Sequence, residues 1–364
     1  MEKETGKIYF LDSVRAIATL AVFMFHAGYL LVYPQNKVLN LVRFVTYGGT
    51  VGVSMFFVLS GFLLFYQMYK KEEALTRAEL WNYAKKRMLR ILPLYYFSLF
   101  FIILFLRPYI LTAPDGLRSI LFNLVFLRGI KGANGGGTIT IDPVYWTLVI
   151  EMHFYFLLPI FYYIFFKFKN IRPFLAVILL GFGYRMALVA FVHNPTMQML
   201  RFTPANFDFF AFGMLGAYLY THRVKWLESI GKGYIQALLI VVFILFVRFY
   251  DLDFNPTFSY VLAPVFLGLI IALGMLSFIA NNRTLLSKFL TSAPIPFIAK
   301  ISFSVYIWHA LVIQKVDYLL ISNNAKFFLS VIITLIVSTI SYYVVEAPFL
   351  RLKPKGKPAA PVSP

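Results

Sequence analysis

Apolar runs of about twenty residues, each long enough to cross roughly 30 Å of hydrocarbon, recur along this 364-residue chain with only short polar breaks between them. About ten are present, at 9–32, 47–69, 91–112, 144–166, 173–192, 203–221, 234–250, 258–279, 296–320 and 327–347. A further amphipathic stretch at 117–130 is a candidate re-entrant segment. The expected fold is therefore all-α, a polytopic integral membrane bundle of about ten transmembrane helices. Composition agrees: 60% of residues are hydrophobic and 13% charged, with a mean hydropathy of +0.76, which excludes a soluble enzyme, a disordered chain and a coiled coil. The 41 Phe and 24 Tyr suit ring packing between helices and at the membrane interfaces.

Arg15 and His26 interrupt the first run, and no small-x-small site precedes Tyr33-Pro34, so this span is expected to remain in the mature protein rather than to be cleaved as a signal peptide. If the N-terminus is cytoplasmic, inside segments hold 22 Lys and Arg and outside segments 9, an asymmetry that places both termini in the cytoplasm. The same distribution explains the net charge of +19 as topology plus attraction to anionic lipid headgroups, and no nucleic-acid partner is expected. Residues 1–350 read as one membrane domain and 351–364 as a disordered, basic, Pro-rich cytoplasmic tail. Gly132–Gly137 fits neither phosphate-binding glycine fingerprint and reads as a flexible loop. The chain has no cysteine, which excludes disulfides, thiolate metal sites and a cysteine acyl-enzyme, and no metal is expected.

Ionisable residues inside apolar spans are costly in lipid and face a cavity or a partner. Here they are Asp12, Arg15, His26, Glu151, His153, Arg185, Asp208, His309 and Glu346. Arg15 and His26, eleven residues apart, return to within about 20° of one helix face and lie roughly 16 Å apart along it. They form one stripe at two depths. Asp12 sits one turn before Arg15, so a local ion pair anchoring the helix is an equal reading of that pair. The segment Trp146 to Glu151 brings a carboxylate level with His26 on this topology. A carboxylate beside an imidazole would fix its tautomer and raise its basicity, as general-base chemistry on a hydroxyl requires. A structural hydrogen bond to a neighbouring helix is the other reading of Glu151. Arg87 and Arg90, three apart on one helical face, are open to two readings: positive-inside anchoring, or a grip on the phosphates of a cytoplasmic anionic donor.

Six ordered segments together resemble the acyltransferase family 3 membrane proteins, the bacterial O-acyltransferases of surface polysaccharides and other acceptors. They are Phe10-Leu11-Asp12-Ser13-Val14-Arg15 through His26, Val51 to Ser60-Gly61-Phe62, Arg87 to Tyr95, Trp146 to Pro159, Ile301 to Trp308-His309, and Glu346-Ala347-Pro348-Phe349. The family often has a second acidic residue and a glutamine after the glutamate, where this chain has Met152 and His153, so a paired-carboxylate scheme does not carry over. Some members also carry a C-terminal esterase-like domain; this chain stops shortly after its last motif, so transfer is expected to be completed by the membrane part or by a separate protein.

The resemblance implies an enzyme of the bacterial cytoplasmic membrane that moves an acyl group, most often acetyl, from cytoplasmic acyl-CoA (acetyl-CoA) to a hydroxyl of a surface carbohydrate or glycolipid. Arg87 and Arg90 would hold the CoA phosphates, with Arg15 positioning the donor near the inner mouth. His26 would act as general base or transient acyl carrier, oriented by Glu151. Ser60, Trp146, Trp308 and His309 would line the cavity. Partners implied are membrane lipid, the carbohydrate acceptor and envelope polysaccharide assembly proteins. The rival reading is a transporter or flippase for a polar or sugar-containing substrate, since intramembrane Arg, His, Glu and Asp also build substrate paths. Against it, the chain has no visible paired halves and no matching Gly/Pro-broken spans.

Overall fold

A computed structural model describes residues 10–31, 51–69, 75–127, 139–192, 197–250 and 257–354. Among the described residues there is no strand, and the long helices are α1 (Phe10–Ala27), α2 (Val51–Tyr69), α3 (Arg77–Phe101), α5 (Tyr145–Phe168), α6 (Arg172–Phe191), α7 (Phe207–Thr221), α8 (Gly233–Tyr250), α9 (Ala263–Ala280), α10 (Ile295–Asp317) and α11 (Asn323–Ser341), with a short α4 (Gly116–Leu124) after α3. Each apolar run of the sequence falls on one of them. Eight, taken with their wide-turn extensions, are long and apolar enough to cross a membrane; α7 is shorter, and α8 contributes a shorter apolar stretch, Gly233–Arg248. The protein is a multi-pass membrane helix bundle. The glycine-rich loop expected at 132–137, the N-terminal Lys3 and Lys7, and tail residues 355–364 lie outside the described residues.

The third helix begins well before its apolar run. Thr76 and Glu79 form a reciprocal capping box at its N-terminus, so the polar stretch from Arg77 to Arg90 is helical too and carries Arg87 and Arg90 within the helix rather than at its end. A hydropathy window detects only the second, apolar half of such a helix. Pro93 lies inside it. The amphipathic stretch at 117–130 contains α4, tied to α3 by the Tyr95 and Tyr96 hydroxyls, which donate to the carbonyls of Asn123 and Leu124 at 2.9 Å each.

In lipid, burial of apolar surface does little to hold helices together, so close packing and interhelical hydrogen bonds must do it. The middle of the bundle illustrates this. At Gly61 on α2 a Cβ would lie 2.2 Å from the Phe210 carbonyl oxygen, and at Gly213 on α7 it would lie 2.0 Å from the Val58 oxygen. The two glycines let α2 and α7 touch backbone to backbone. Around this pair α1 packs on α2 and α10, α6 and α9 pack on α7, and α11 packs on α10. The outer surface is apolar, with Leu104, Phe156, Leu180 and Ile336 all largely exposed, as a lipid-facing surface requires.

Three π-helical turns extend α3, precede α9 and follow α11, at Ile102–Leu106, Phe258–Leu262 and Tyr342–Glu346. The last rotates the chain so that buried Glu346 meets Arg90 of α3 in an ion pair and accepts from Ser304 Oγ of α10 at 3.1 Å. A short helix, Ala347–Arg351, then leads to Lys353, which returns to the bundle.

Candidate active site

Two neighbouring cavities of the bundle, among the described residues, share part of their walls. The larger, about 560 Å³, is lined by Arg15 of α1, Ser60 of α2, Arg87 and Arg90 of α3, Glu151 and Tyr155 of α5, and Lys353. The smaller, about 200 Å³, is lined by His26 of α1, Trp146 of α5, Arg185 of α6, Arg201 and Asn206. Val53 and Tyr306 belong to both walls. Arg15 and His26 thus lie in different cavities, as their separation along one stripe of α1 requires.

The larger cavity is cationic. Arg15 pairs with Asp12 at 2.9 Å, the local ion pair that the sequence allowed, and still lines the cavity. Arg90 is paired with Glu346, while Arg87 donates to the Gln67 side-chain oxygen at 3.2 Å and lies beside the Tyr83 ring. Lys353 joins them from beyond the last helix. Its burial, and the adjacent Arg90 and Arg87, bring its ammonium pKa down to about 8, with Glu346 opposing. Exposed Lys300 is a fifth cation on this wall, and with two of the five paired to a carboxylate the cavity carries excess positive charge.

Glu151 does not bond to His26. Its Oε1 accepts from Ser60 Oγ at 3.2 Å and from the Tyr155 hydroxyl one turn along α5. Tyr155 and Ser60 lie on the larger cavity's wall, and that is where the carboxylate faces. Glu151 therefore lies on the cavity wall that the arginines share, and its bonds are to Ser60 of α2 and to Tyr155 of its own helix rather than to His26.

The partner of His26 is His309. His309 Nδ1 faces the carbonyl oxygens of Tyr306 at 2.8 Å and Val305 at 3.1 Å, and a carbonyl only accepts. In the neutral ring Nδ1 therefore carries the hydrogen and Nε2 is an acceptor. That Nε2 lies 3.3 Å from His26 Nδ1, which also faces the Val22 carbonyl at 3.0 Å. With two acceptors before it, His26 Nδ1 carries its hydrogen, and the lone pair stays on Nε2, which has no protein partner among the described residues. The second histidine holds the first in the tautomer that a base or nucleophile needs.

His309 is fully buried behind His26, and neither it nor Trp308 is on the walls of these two cavities. The Trp308 indole donates to Ser341 Oγ of α11 at 2.9 Å and packs edge-on against Phe101. Neighbours on a helix point about 100° apart, so a His309 turned to α1 sends Trp308 to the opposite contact. Ser60 and Trp146 do line cavities, one each. His153 is a structural group, bonded to Thr203 Oγ1 at 2.7 Å and the Phe126 carbonyl at 2.9 Å. Arg185 and Asp208 form a buried ion pair at 2.6 Å beside the smaller cavity.

Sequence reasoning missed Lys353, Tyr306 and Arg201. Arg201 stacks its guanidinium 5.3 Å above the Trp146 ring at the smaller cavity, and its only sequence signal was a lone cation between two apolar runs.

The described helices form a membrane bundle with a cation-rich cavity next to one that a histidine ring lines. The Acyltransferase domain family (Acyl_transf_3) matches residues 8–343, and the chain belongs to that family. It is similar to the peptidoglycan O-acetyltransferase OatA of Listeria monocytogenes, 25% identical over 94% of this chain and 55% of that protein. It is also similar to the O-acetyltransferase OatA of Staphylococcus aureus strain NCTC 8325, 23% identical over 94% of this chain and 57% of that protein. The chain thus spans little more than half the length of these relatives. No solved structure matches it.

Proposed function

We propose that this protein is an O-acyltransferase of the bacterial cytoplasmic membrane, carrying an acetyl group from cytoplasmic acetyl-CoA to a hydroxyl of a cell-envelope carbohydrate. The observation that carries the reading is the pairing of His26 with His309, which leaves His26 Nε2 bare in a cavity adjoining a cationic one. Family membership supports acyl transfer, and relatives named for O-acetylation of peptidoglycan support a sugar hydroxyl as acceptor.

In this reading the CoA phosphates sit among Arg87, Arg90 and Lys353, with Arg15 deeper along the donor. The acceptor hydroxyl lies against His26. Nε2 takes its proton as the oxygen attacks the thioester carbonyl, the carbon–sulfur bond breaks, and the departing CoA thiolate receives the proton from the imidazolium. His309 Nε2 accepts from Nδ1–H throughout and stabilises the imidazolium while it exists. Ser60 and Tyr155 fix Glu151 as a counter-charge that offsets repulsion among the cavity's cations.

The test is label transfer from radiolabelled acetyl-CoA into alkali-labile ester on envelope carbohydrate, using purified protein in proteoliposomes. Wild type is expected to transfer, and His26→Ala to lose at least about 100-fold in rate, the low end for a general base. Full activity in His26→Ala refutes the mechanism. Counterflow of a sugar without acyl-CoA would support a transporter in its place.

A further inference from the structure

Two side chains, Val53 on α2 and Tyr306 on α10, line both cavities. Tyr306 is buried, and its hydroxyl lies 2.6 Å from Thr147 Oγ1 on α5 and 3.4 Å from the carbonyl of Val144, the residue before α5. Thr147 belongs to the wall of the larger cavity and Val144 to that of the smaller, so the phenol reaches across the boundary. Thr147 Oγ1 also lies 3.1 Å from the Val144 carbonyl, so one of the two hydroxyls donates to that carbonyl and the two share a hydrogen bond with each other. The ring is set edge-on to Phe56, with centroids 5.9 Å apart, and its centroid is 5.7 Å from that of His309. Its own carbonyl receives the His309 Nδ1–H. Packing and hydrogen bonds together hold this side chain in one place.

Resting on the donor and acceptor assignment above, we propose that Tyr306 and Val53 form the neck through which the acyl end of the donor reaches His26, and that their size selects the acyl group. The phosphates stay with the arginines of the larger cavity, while the new carbon–oxygen bond must form beside His26 in the smaller one. The thioester end therefore passes between one phenol and one isopropyl group. Beyond the neck, acyl chain and acceptor share about 200 Å³. A methylene more or less in a close apolar site is worth about 10- to 200-fold in discrimination, and the rigid neighbours leave little room to relax. The Thr147 bond governs how readily the ring swings and the bulk of the ring governs what passes, so Tyr306→Phe should alter rate more than preference.

The experiment compares kcat/KM for acetyl-, propionyl- and butyryl-CoA in wild-type protein, Val53→Ala, Tyr306→Ala and Val53→Phe, all full-length in proteoliposomes. The two alanine variants should raise the butyryl-to-acetyl ratio by at least about tenfold, and Val53→Phe should lower it. Val53→Ala disturbs no hydrogen bond of Tyr306 and decides the matter even where Tyr306→Ala fails to fold. Unchanged ratios in variants that still transfer acetyl overturn the neck and leave the acyltransferase reading standing. Wild-type protein that transfers from none of the three donors overturns that reading, and the neck with it.

Discussion

Lys353 gives the larger cavity a titration near neutrality, which makes the proposed donor binding pH-dependent. Its ammonium pKa is lowered to about 8, first by burial and then by Arg90 and Arg87, with Lys86 adding to them and Glu346 opposing. Below that value the cavity wall holds five cations, Lys300 included; above it, four. Donor phosphates favour the charged lysine and raise its pKa when bound, so affinity is present below pH 8 and lost as pH rises through it. With a pKa of about 8 free and well above 9 bound, affinity should fall about tenfold between pH 7 and pH 9, equivalent to about 1.4 kcal/mol. The phosphates contribute nothing to this slope, since their second ionisation near pH 6 is complete by pH 7. The measurement is equilibrium binding of a thioether analogue of acetyl-CoA, which has no free thiol, to detergent-purified protein at constant ionic strength. Lys353→Arg stays charged across the range and should bind with little pH dependence, while Lys353→Met should bind weakly and equally flatly. A wild-type affinity that does not change from pH 7 to 9, or a slope that persists in Lys353→Arg, refutes the placement of Lys353 in the donor site.

Three further outcomes are expected. His309→Ala should reduce kcat by less than His26→Ala, and the double variant should fall no lower than His26→Ala, because His309 acts only through His26; additive losses in the transfer assay would contradict the pairing. Gly61→Ala drives a Cβ against the Phe210 carbonyl and should separate α2 from α7 at a cost of about 1–3 kcal/mol, read as a lowered Tm in detergent, with an unchanged Tm showing that the helices are not in backbone contact. Asp208→Ala leaves Arg185 charged in a buried site and should cost about 3–5 kcal/mol, whereas Arg185→Met with Asp208→Leu should recover most of it; equal Tm values for the two would mean that the pair is not desolvated.

What the sequence could disclose follows the range over which its signals act. Hydrophobic runs are local, and all ten correspond to helices. The Arg15 and His26 stripe is a property of one helix, and α1 does present both residues to the bundle's cavities. Arg87 and Arg90, also on one helix, reach the same cavity, although the start of that helix was hidden by its polar first half. Partnerships between helices are another matter. Glu151 was placed beside His26 by matching depths, yet depth leaves rotation about the helix axis free, and α5 turns the carboxylate to Ser60 and Tyr155. The same freedom separates Trp308 from His309: adjacent in sequence, they diverge by about 100°, and only one can meet α1. Lys353 was concealed differently. In a basic, Pro-rich stretch it has the composition of a solvated tail, and only the π-helical turn at Tyr342–Glu346 and the helical turn after it bring the chain back over Arg90. The spacing within α1 carries the most chemistry. About 16 Å along the helix separates the residue expected to position the donor from the one expected to act on the acceptor, and Tyr306 and Val53 stand between their cavities. The proposed neck requires a donor gripped by its phosphates to be narrow at its reactive end, as an acyl thioester at the tip of a long arm is.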